Sequence, residues 1–294
     1  PLANAIASWY TVMIKPSAYS PNTSSIVKKI IEECFIPDYV AVVMGGRQEN
    51  SALLEQKFDF VFFTGSQSVG KEVLRKTAEN LTPSILELGG KSPCIVDDSA
   101  NLKIAAKRIV FGKFLNLGQT CVAPDYILCH KNVKDFFLKA VIEEIKKQYG
   151  ENPFANSDYG KIINDKHFDR LQKLICKEKL VYGGKVDKQT LQIEPTVLDN
   201  VLWTDNVMQE EIFGPIMPIL TFDDINEVIA LLQKKPKPLA LYIFSENKTN
   251  IKKVTELVSY GGGCVNDTVI HLATSEMGFG GVGESGMGSY HGKV

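Results

Sequence analysis

Phe60-Val61-Phe62-Phe63-Thr64-Gly65-Ser66-Gln67-Ser68-Val69-Gly70 is the stretch that decides the fold. It opens with an unbroken apolar run, the mark of a strand covered on both faces, and Val73, Leu74 and Ala78 follow at helical spacing. The turn between them is small and polar. Glycine at position 65 lets the backbone turn tightly after the strand and approach a ligand, and the first N–H groups of the new helix lack partners within it, so they face an anion readily. Taken alone, this unit fits a phosphate site and an ordinary structural βα turn alike.

The same alternation continues outward. Upstream, Tyr10 to Ile14 predicts a short strand, Ser24 to Glu33 a helix with Ile26, Val27, Ile30 and Ile31 at helical spacing, and Tyr39 to Met44 a strand closed by Gly45-Gly46. Short apolar runs alternating with helices predict a parallel sheet with crossover helices, a doubly wound α/β fold. Downstream, helices are predicted around Ile104 to Leu115, Phe136 to Tyr149, Phe168 to Ile175 and Ile225 to Leu232. Strands are predicted at Tyr126 to Leu128, Ile193 to Leu198 and Leu239 to Phe244. The organisation expected is a doubly wound α/β domain over 1–86 followed by a second α/β domain over 87–294.

Composition excludes several classes. The 33 basic residues balance 34 acidic ones, so no net charge recruits nucleic acid or an anionic membrane. Arginine occurs only at 47, 75, 108 and 170, which speaks further against recognition of a phosphate backbone. The six cysteines are scattered without C-x-x-C spacing, as befits free thiols in a reducing, cytoplasmic setting; no metal-ligand pattern is present. No signal peptide or membrane span is read, since the apolar stretch Leu2 to Ile14 is short and lacks a basic flank.

Three local features carry chemistry. Cys121 stands in Asn116-Leu-Gly-Gln-Thr-Cys-Val-Ala-Pro-Asp-Tyr126, a Gly- and Pro-bounded connection between a helix and a strand; a lone cysteine there fits either a reactive thiol or a buried core residue. Glu87 interrupts the apolar alternation Ile85-Leu86-Glu87-Leu88 before Gly89-Gly90. An acid there is costly unless it is solvated on an edge strand or useful; burial raises a carboxyl toward neutrality, where a general base works. Glu210-Glu211-Ile212-Phe213-Gly214-Pro215 reads as a charged loop with an anchoring ring.

Together, Cys121, Glu87, Glu211 and the Gly65 to Gly70 turn resemble the aldehyde dehydrogenase superfamily. The likeness runs from Pro1 to Lys293 and is closest to its class 3-like branch, through Lys15-Pro16-Ser17, Ala123-Pro124-Asp125-Tyr126 and Tyr290-His291-Gly292-Lys293. The resemblance implies NAD(P)-dependent oxidation of an aldehyde substrate, with NAD or NADP as cofactor. Cys121 is then the nucleophile and Glu87 the base for hydrolysis. Lys15 contacts the adenosine ribose or a phosphate attached to it, Ser17 belongs to the same cofactor-binding set, and Gly65, Ser66 and Gly70 cradle the pyrophosphate, which makes 1–86 the dinucleotide-binding domain and 87–294 the catalytic domain. Glu211 accepts from the nicotinamide ribose, and Phe213 packs on the ring. Asn266 is expected to support the catalytic loop, and Tyr290 to Lys293 to cover the substrate entrance. The Gly-rich tail Gly278 to Gly288 suits a flexible linker or this covering loop.

Two departures shape the expectations. Position 18, where many relatives carry Glu, is Ala18, so NADP is expected to be accepted at least comparably to NAD. The relatives' oxyanion Asn, early strands and C-terminal arm have no counterpart, so the chain is expected to be a fragment of a longer, homo-oligomeric enzyme. As given, it is expected to bind cofactor weakly, turn over poorly and tend to associate. The other readings carried are a non-catalytic or impaired relative with residual cofactor binding, and a thiol esterase or acyl carrier using Cys121 and Glu87 without hydride transfer.

Overall fold

The computed structural model describes residues 1–292; Lys293, which closes the Tyr-His-Gly-Lys match, lies outside them. The chain opens as alternating elements: α1 (Leu2–Ala7), β1 (Val12–Ile14), α2 (Pro21–Cys34), β2 (Val40–Val42), α3 (Arg47–Leu54), β3 (Val61–Thr64), α4 (Gln67–Glu79) and β4 (Ser84–Glu87). β1 pairs in parallel with β2, and β3 in parallel with β4, as the crossover helices require. Pro21 starts α2 with its φ already set for a helix.

There follow β5 (Pro93–Val96), α5 (Leu102–Phe114), β6 (Tyr126–His130), α6 (Lys134–Tyr149), α7 (Asp165–Gln172), β7 (Leu180–Tyr182), β8 (Val186–Asp187), β9 (Gln192–Ile193) and β10 (Thr196–Leu198). The chain ends with β11 (Ile216–Phe222), α8 (Ile225–Leu232), β12 (Ala240–Phe244), α9 (Lys248–Leu257), β13 (Gly262–Val265) and β14 (Gly286–Met287). Seven of these strands form one sheet in the order β13-β12-β5-β6-β11-β10-β7. Its neighbours are parallel except β10 with β7. Strand alternation divides the core. Ile95, Leu128, Leu220 and Ile243 meet α8 and α9 through Val228, Ile229 and Val254, whereas Val96, Ile127, Ile219 and Tyr242 meet α5 and α6 through Ile109, Phe114, Phe137 and Val141. Helices on both faces of a mostly parallel sheet make this the expected α/β fold.

Some local expectations shift. The helix expected at Phe168 to Ile175 is α7, which starts earlier because the Asn164 side chain accepts from the His167 amide at 2.9 Å and caps it. The strand expected over Ile193 to Leu198 breaks at Pro195: Gln192–Ile193 folds back on β8, while Thr196–Leu198 enters the large sheet. The tail is no linker. Gly286 lies opposite Glu87 in an antiparallel pair of β14 with β4, and Phe279 bridges to Tyr290. Among the described residues the Asn266 side chain makes its hydrogen bonds to Ser245 and none to the Cys121 connection. Its amide accepts from the Ser245 N–H at 2.9 Å and donates to the Ser245 carbonyl at 3.0 Å, tying together the ends of β12 and β13.

Candidate active site

Eight of the nine expected site residues, Cys121, Glu87, Lys15, Ser17, Gly65, Ser66, Glu211 and Phe213, line one open groove of about 2750 Å³. The ninth, Gly70, faces away. A Cβ there would press into the Leu88 side chain, so this glycine lets α4 pack closely on the Glu87 strand instead of touching the groove.

Glu87 sits at the end of β4, the middle strand between β3 and β14, and is 3% exposed. The edge-strand alternative is thereby excluded. Its backbone is pinned on one side by Gly286 and on the other by Thr64, and its carbonyl accepts from the Gly65 N–H at 3.0 Å. Neither carboxylate oxygen has a partner among the described residues. Burial alone pushes the carboxyl up to about 7, which keeps both protonation states accessible near neutrality.

Cys121 is half-buried. The connection that presents it is wound by Asn116, Leu117 and Gly118, all left-handed at φ 52°, 54° and 69°. Such backbone is unfavourable for Leu117 and persists only where its surroundings enforce it. A Cβ at Gly118 would strike the carbonyls of Gly214 and Lys113, so the Cys121 connection and the Glu211 loop are packed backbone to backbone. Beyond Cys121, the Val122 carbonyl accepts from the Tyr242 hydroxyl at 2.6 Å, and the Asp125 N–H donates to the Ser92 carbonyl at 2.8 Å. Burial, then the Glu211 and Glu87 carboxylates, push the thiol up to about 11, while the amides of Cys121 and Val122 oppose them. The resting site therefore holds a thiol.

Glu211 is also pushed up to about 7, by burial and then by Asp125, against the Gly90 amide and the cations Lys91 and Arg170. Its carboxylate occupies the space where Gly89 would carry a Cβ. Sequence reasoning missed what holds it. Lys91 donates to Asp125 Oδ2 at 2.5 Å, to the Val207 carbonyl at 3.0 Å and to the Glu210 carbonyl at 2.8 Å, and Asp125 Oδ1 accepts from the Ile212 N–H at 2.9 Å. Arg170 completes the frame from α7. Lys113 is buried below it, its ammonium lowered to about 8 by burial against the pull of Asp125.

The cofactor end is open. Ser66 precedes α4 without a side-chain cap, so the first amides of that helix stay available, and Gly65 lies where a Cβ would meet the Phe63 ring. Lys15, at the end of β1, donates to the Gly45 carbonyl at 2.9 Å, beside the Glu49 carboxylate that accepts from the Gly46 N–H at 2.6 Å. Ser17 shapes the turn into α2, its hydroxyl accepting from the Tyr19 N–H at 3.2 Å. Among the described residues no group of His, Cys, Asp and Glu is placed to hold a metal ion, and no helix is long and apolar enough to cross a membrane.

Comparison with known proteins agrees with this geometry. The family model described as aldehyde dehydrogenase family matches residues 1–294. The chain is 50% identical over 295 residues to a 4,4'-diaponeurosporen-aldehyde dehydrogenase of Staphylococcus aureus, covering 100% of this chain and 64% of the relative. It is 45% identical over 293 residues to an aldehyde dehydrogenase, dimeric NADP-preferring, of Canis lupus familiaris, covering 100% of this chain and 65% of the relative. A structure of the substrate-bound state of Staphylococcus aureus AldH superposes with a TM-score of 0.98 at 50% identity, covering 99% of this chain and 64% of that one. The chain thus spans 64% of the length of the first of these relatives.

Proposed function

Because the chain belongs to the aldehyde dehydrogenase family, we propose that it carries the catalytic core for oxidising an aldehyde to a carboxylic acid with NAD or NADP, through covalent chemistry on Cys121. The observation that carries the reading is the convergence, in one groove, of a thiol, the unpartnered buried Glu87 carboxylate and the glycine turn bonded to that same residue.

The residues fit a dinucleotide. Lys15 and Ser17 at the end of β1, Gly65 and Ser66 with the free amides of α4, and Glu211 with Phe213, all lining the same groove, would hold it. When bound, its nicotinamide ring supplies the acceptor for hydride.

The chain's own residues supply the rest. Cys121 gives its proton to water in the open groove as sulfur bonds to the carbonyl carbon, and the C=O electron pair moves onto oxygen. The backbone amides of Cys121 and Val122, which turn toward the sulfur in the resting site, are the donors we assign to that oxyanion. Collapse of the oxyanion re-forms C=O and expels hydrogen with its electron pair, leaving a thioester on Cys121. Glu87, ionised, takes a proton from water as the water oxygen attacks the thioester. The C–S bond breaks, sulfur regains its electron pair and takes the proton that Glu87 holds, and the acid leaves, which restores the thiol and the ionised Glu87.

The test is a titration with NADH followed by fluorescence, together with turnover of an aldehyde series and of an activated ester. Saturable NADH quenching, together with NAD(P)H formation and ester cleavage that both require Cys121, supports the reading. Ester cleavage without NADH binding would replace it with a thiol esterase, and NADH binding without either reaction with a non-catalytic relative.

A further inference from the structure

We infer that Arg170 is a positioning residue that latches the Glu210 to Phe213 loop and thereby sets affinity for the nicotinamide cofactor. The inference rests on the role proposed above for Glu211 and Phe213.

That loop is irregular. Among the described residues, Glu210 to Phe213 make no backbone-to-backbone hydrogen bond, although Ile212 is buried. Polar backbone groups at such a place must find side chains. The Glu210 carbonyl goes to Lys91, and the Ile212 amide goes to Asp125. The next two carbonyls go to a single guanidinium: Arg170 Nη1 donates to the Glu211 carbonyl at 3.2 Å and Nη2 to the Ile212 carbonyl at 2.6 Å. The same Nη1 meets Glu210 Oε1 at 2.9 Å. Lys91 and Asp125 hold the loop from the sheet side as one ion pair, whereas among the described residues Arg170 is the hydrogen-bond donor that holds its carbonyls from α7.

Two further observations show what the latch restrains. Phe213 adopts φ 49°, a left-handed conformation unfavourable for an aromatic residue, and it lies directly after the two carbonyls that Arg170 binds. Leu171, next to Arg170, fills the space where Gly214 would carry a Cβ, so α7 supports the loop from below while Arg170 draws its carbonyls in. The ion pair with the half-exposed Glu210 would by itself contribute little. The paired carbonyl contacts are what a planar fork makes and an ammonium does not.

The experiment compares Arg170→Met, Arg170→Lys, Glu211→Gln and the double variant Arg170→Met/Glu211→Gln with the unmodified chain. Three readouts are used: hydrogen exchange of residues 207–214, NADH affinity by fluorescence and the rate of Cys121 alkylation by iodoacetamide. Arg170→Met is expected to speed exchange in the loop about 10-fold or more while α5 and α6 stay protected. It is also expected to weaken NADH about 10- to 100-fold, as loss of two charge-assisted hydrogen bonds to one loop implies, with little change in alkylation. Arg170→Lys should fall between. The double variant should bind NADH no more than about 2-fold more weakly than the weaker single, because both act through Glu211.

Unchanged loop exchange, unchanged NADH affinity or fully additive losses would each overturn the latch. If the unmodified chain binds no NADH, the functional reading of the groove fails on its own, and the latch stands or falls on loop exchange. Should Arg170→Met not fold, Arg170→Lys decides by the same measurements.

Discussion

The backbone N–H of Gly65 donates to the carbonyl of Glu87 at 3.0 Å, so the glycine turn before α4 and the residue that carries the buried carboxylate are adjacent in one hydrogen-bonded ladder. On its other side Glu87 is opposite Gly286, and the following Leu88 N–H donates to the Ser285 carbonyl at 3.1 Å. The Glu87 backbone is thus held by hydrogen-bonded strand neighbours on both sides. Its carboxylate oxygens have no hydrogen-bond partner among the described residues, which suits the proposed role of binding water and moving a proton.

Cys121→Ala is expected to abolish aldehyde oxidation and ester cleavage together while NADH binding is kept. Labelling by iodoacetamide should rise with pH toward the high thiol value, and labelling that tracks inactivation should vanish in the variant. Aldehyde turnover that survives in Cys121→Ala would move the chemistry to another residue.

With Glu87→Gln, a single-turnover burst of NAD(P)H should persist while steady turnover falls ~10²-fold or more, the size expected for loss of a general base. In the unmodified chain the deacylation rate should climb as pH rises through about 7, where Glu87 ionises, and this limb should be absent from the variant. Stability moves the opposite way. The folded state holds the Glu87 proton more tightly than the unfolded chain, so between about 4.5 and about 7 the unfolded chain ionises first and rising pH costs stability. Glu87→Gln should flatten that slope in a series of denaturation curves. Loss of the burst itself would assign Glu87 to activating the thiol.

What was legible in the sequence was whatever broke a local rule. An acid inside Ile85-Leu86-Glu87-Leu88, glycines placed after an apolar run and a cysteine bounded by Gly118 and Pro124 each conflict with plain packing, and the groove contains all three sites. Lys91, Asp125 and Arg170 break no such rule: each looks like a solvated charge until folding brings Lys91 to Val207 and Glu210, and Arg170 to Ile212. β5 and β11 were obscured by Pro93 and Pro218 within them, and β14 by glycine. β14 pairs through backbone only. A Cβ at Gly286 would collide with the Leu86 carbonyl, so no side-chain alternation exists there to be read.

Gly89→Ala places a methyl group where the Glu211 carboxylate lies, so one of them must move. The expected outcome is NADH affinity lowered about 10-fold or more, with a stability loss of about 1 to 3 kcal/mol as for an overpacked site. Cys121 alkylation should continue. Fluorescence titration and denaturant unfolding measure the two effects; undiminished NADH affinity in a folded variant would show that Glu211 is not needed where it stands.

Cofactor choice turns on the carboxylates near Lys15. An acid at the end of the second strand accepts from the adenosine ribose 2′-hydroxyl and repels a 2′-phosphate. Position 18 offers none, since Ala18 stands there exposed, which favours acceptance of NADP at least comparably to NAD. The structure adds a carboxylate that the sequence reading did not weigh. Glu49 folds back over Gly45-Gly46, and its carboxyl is held down by backbone amides and then by Lys15, so it is ionised at neutral pH. Because the Gly46 N–H already occupies that carboxylate, we expect it to compete weakly for a ribose, and Ala18→Glu to shift preference toward NAD. Paired titrations with NADH and NADPH measure this. If the unmodified chain rejects the phosphorylated cofactor by more than ~10²-fold, the argument from Ala18 fails, and Glu49→Gln should then restore acceptance if Glu49 is the repelling charge.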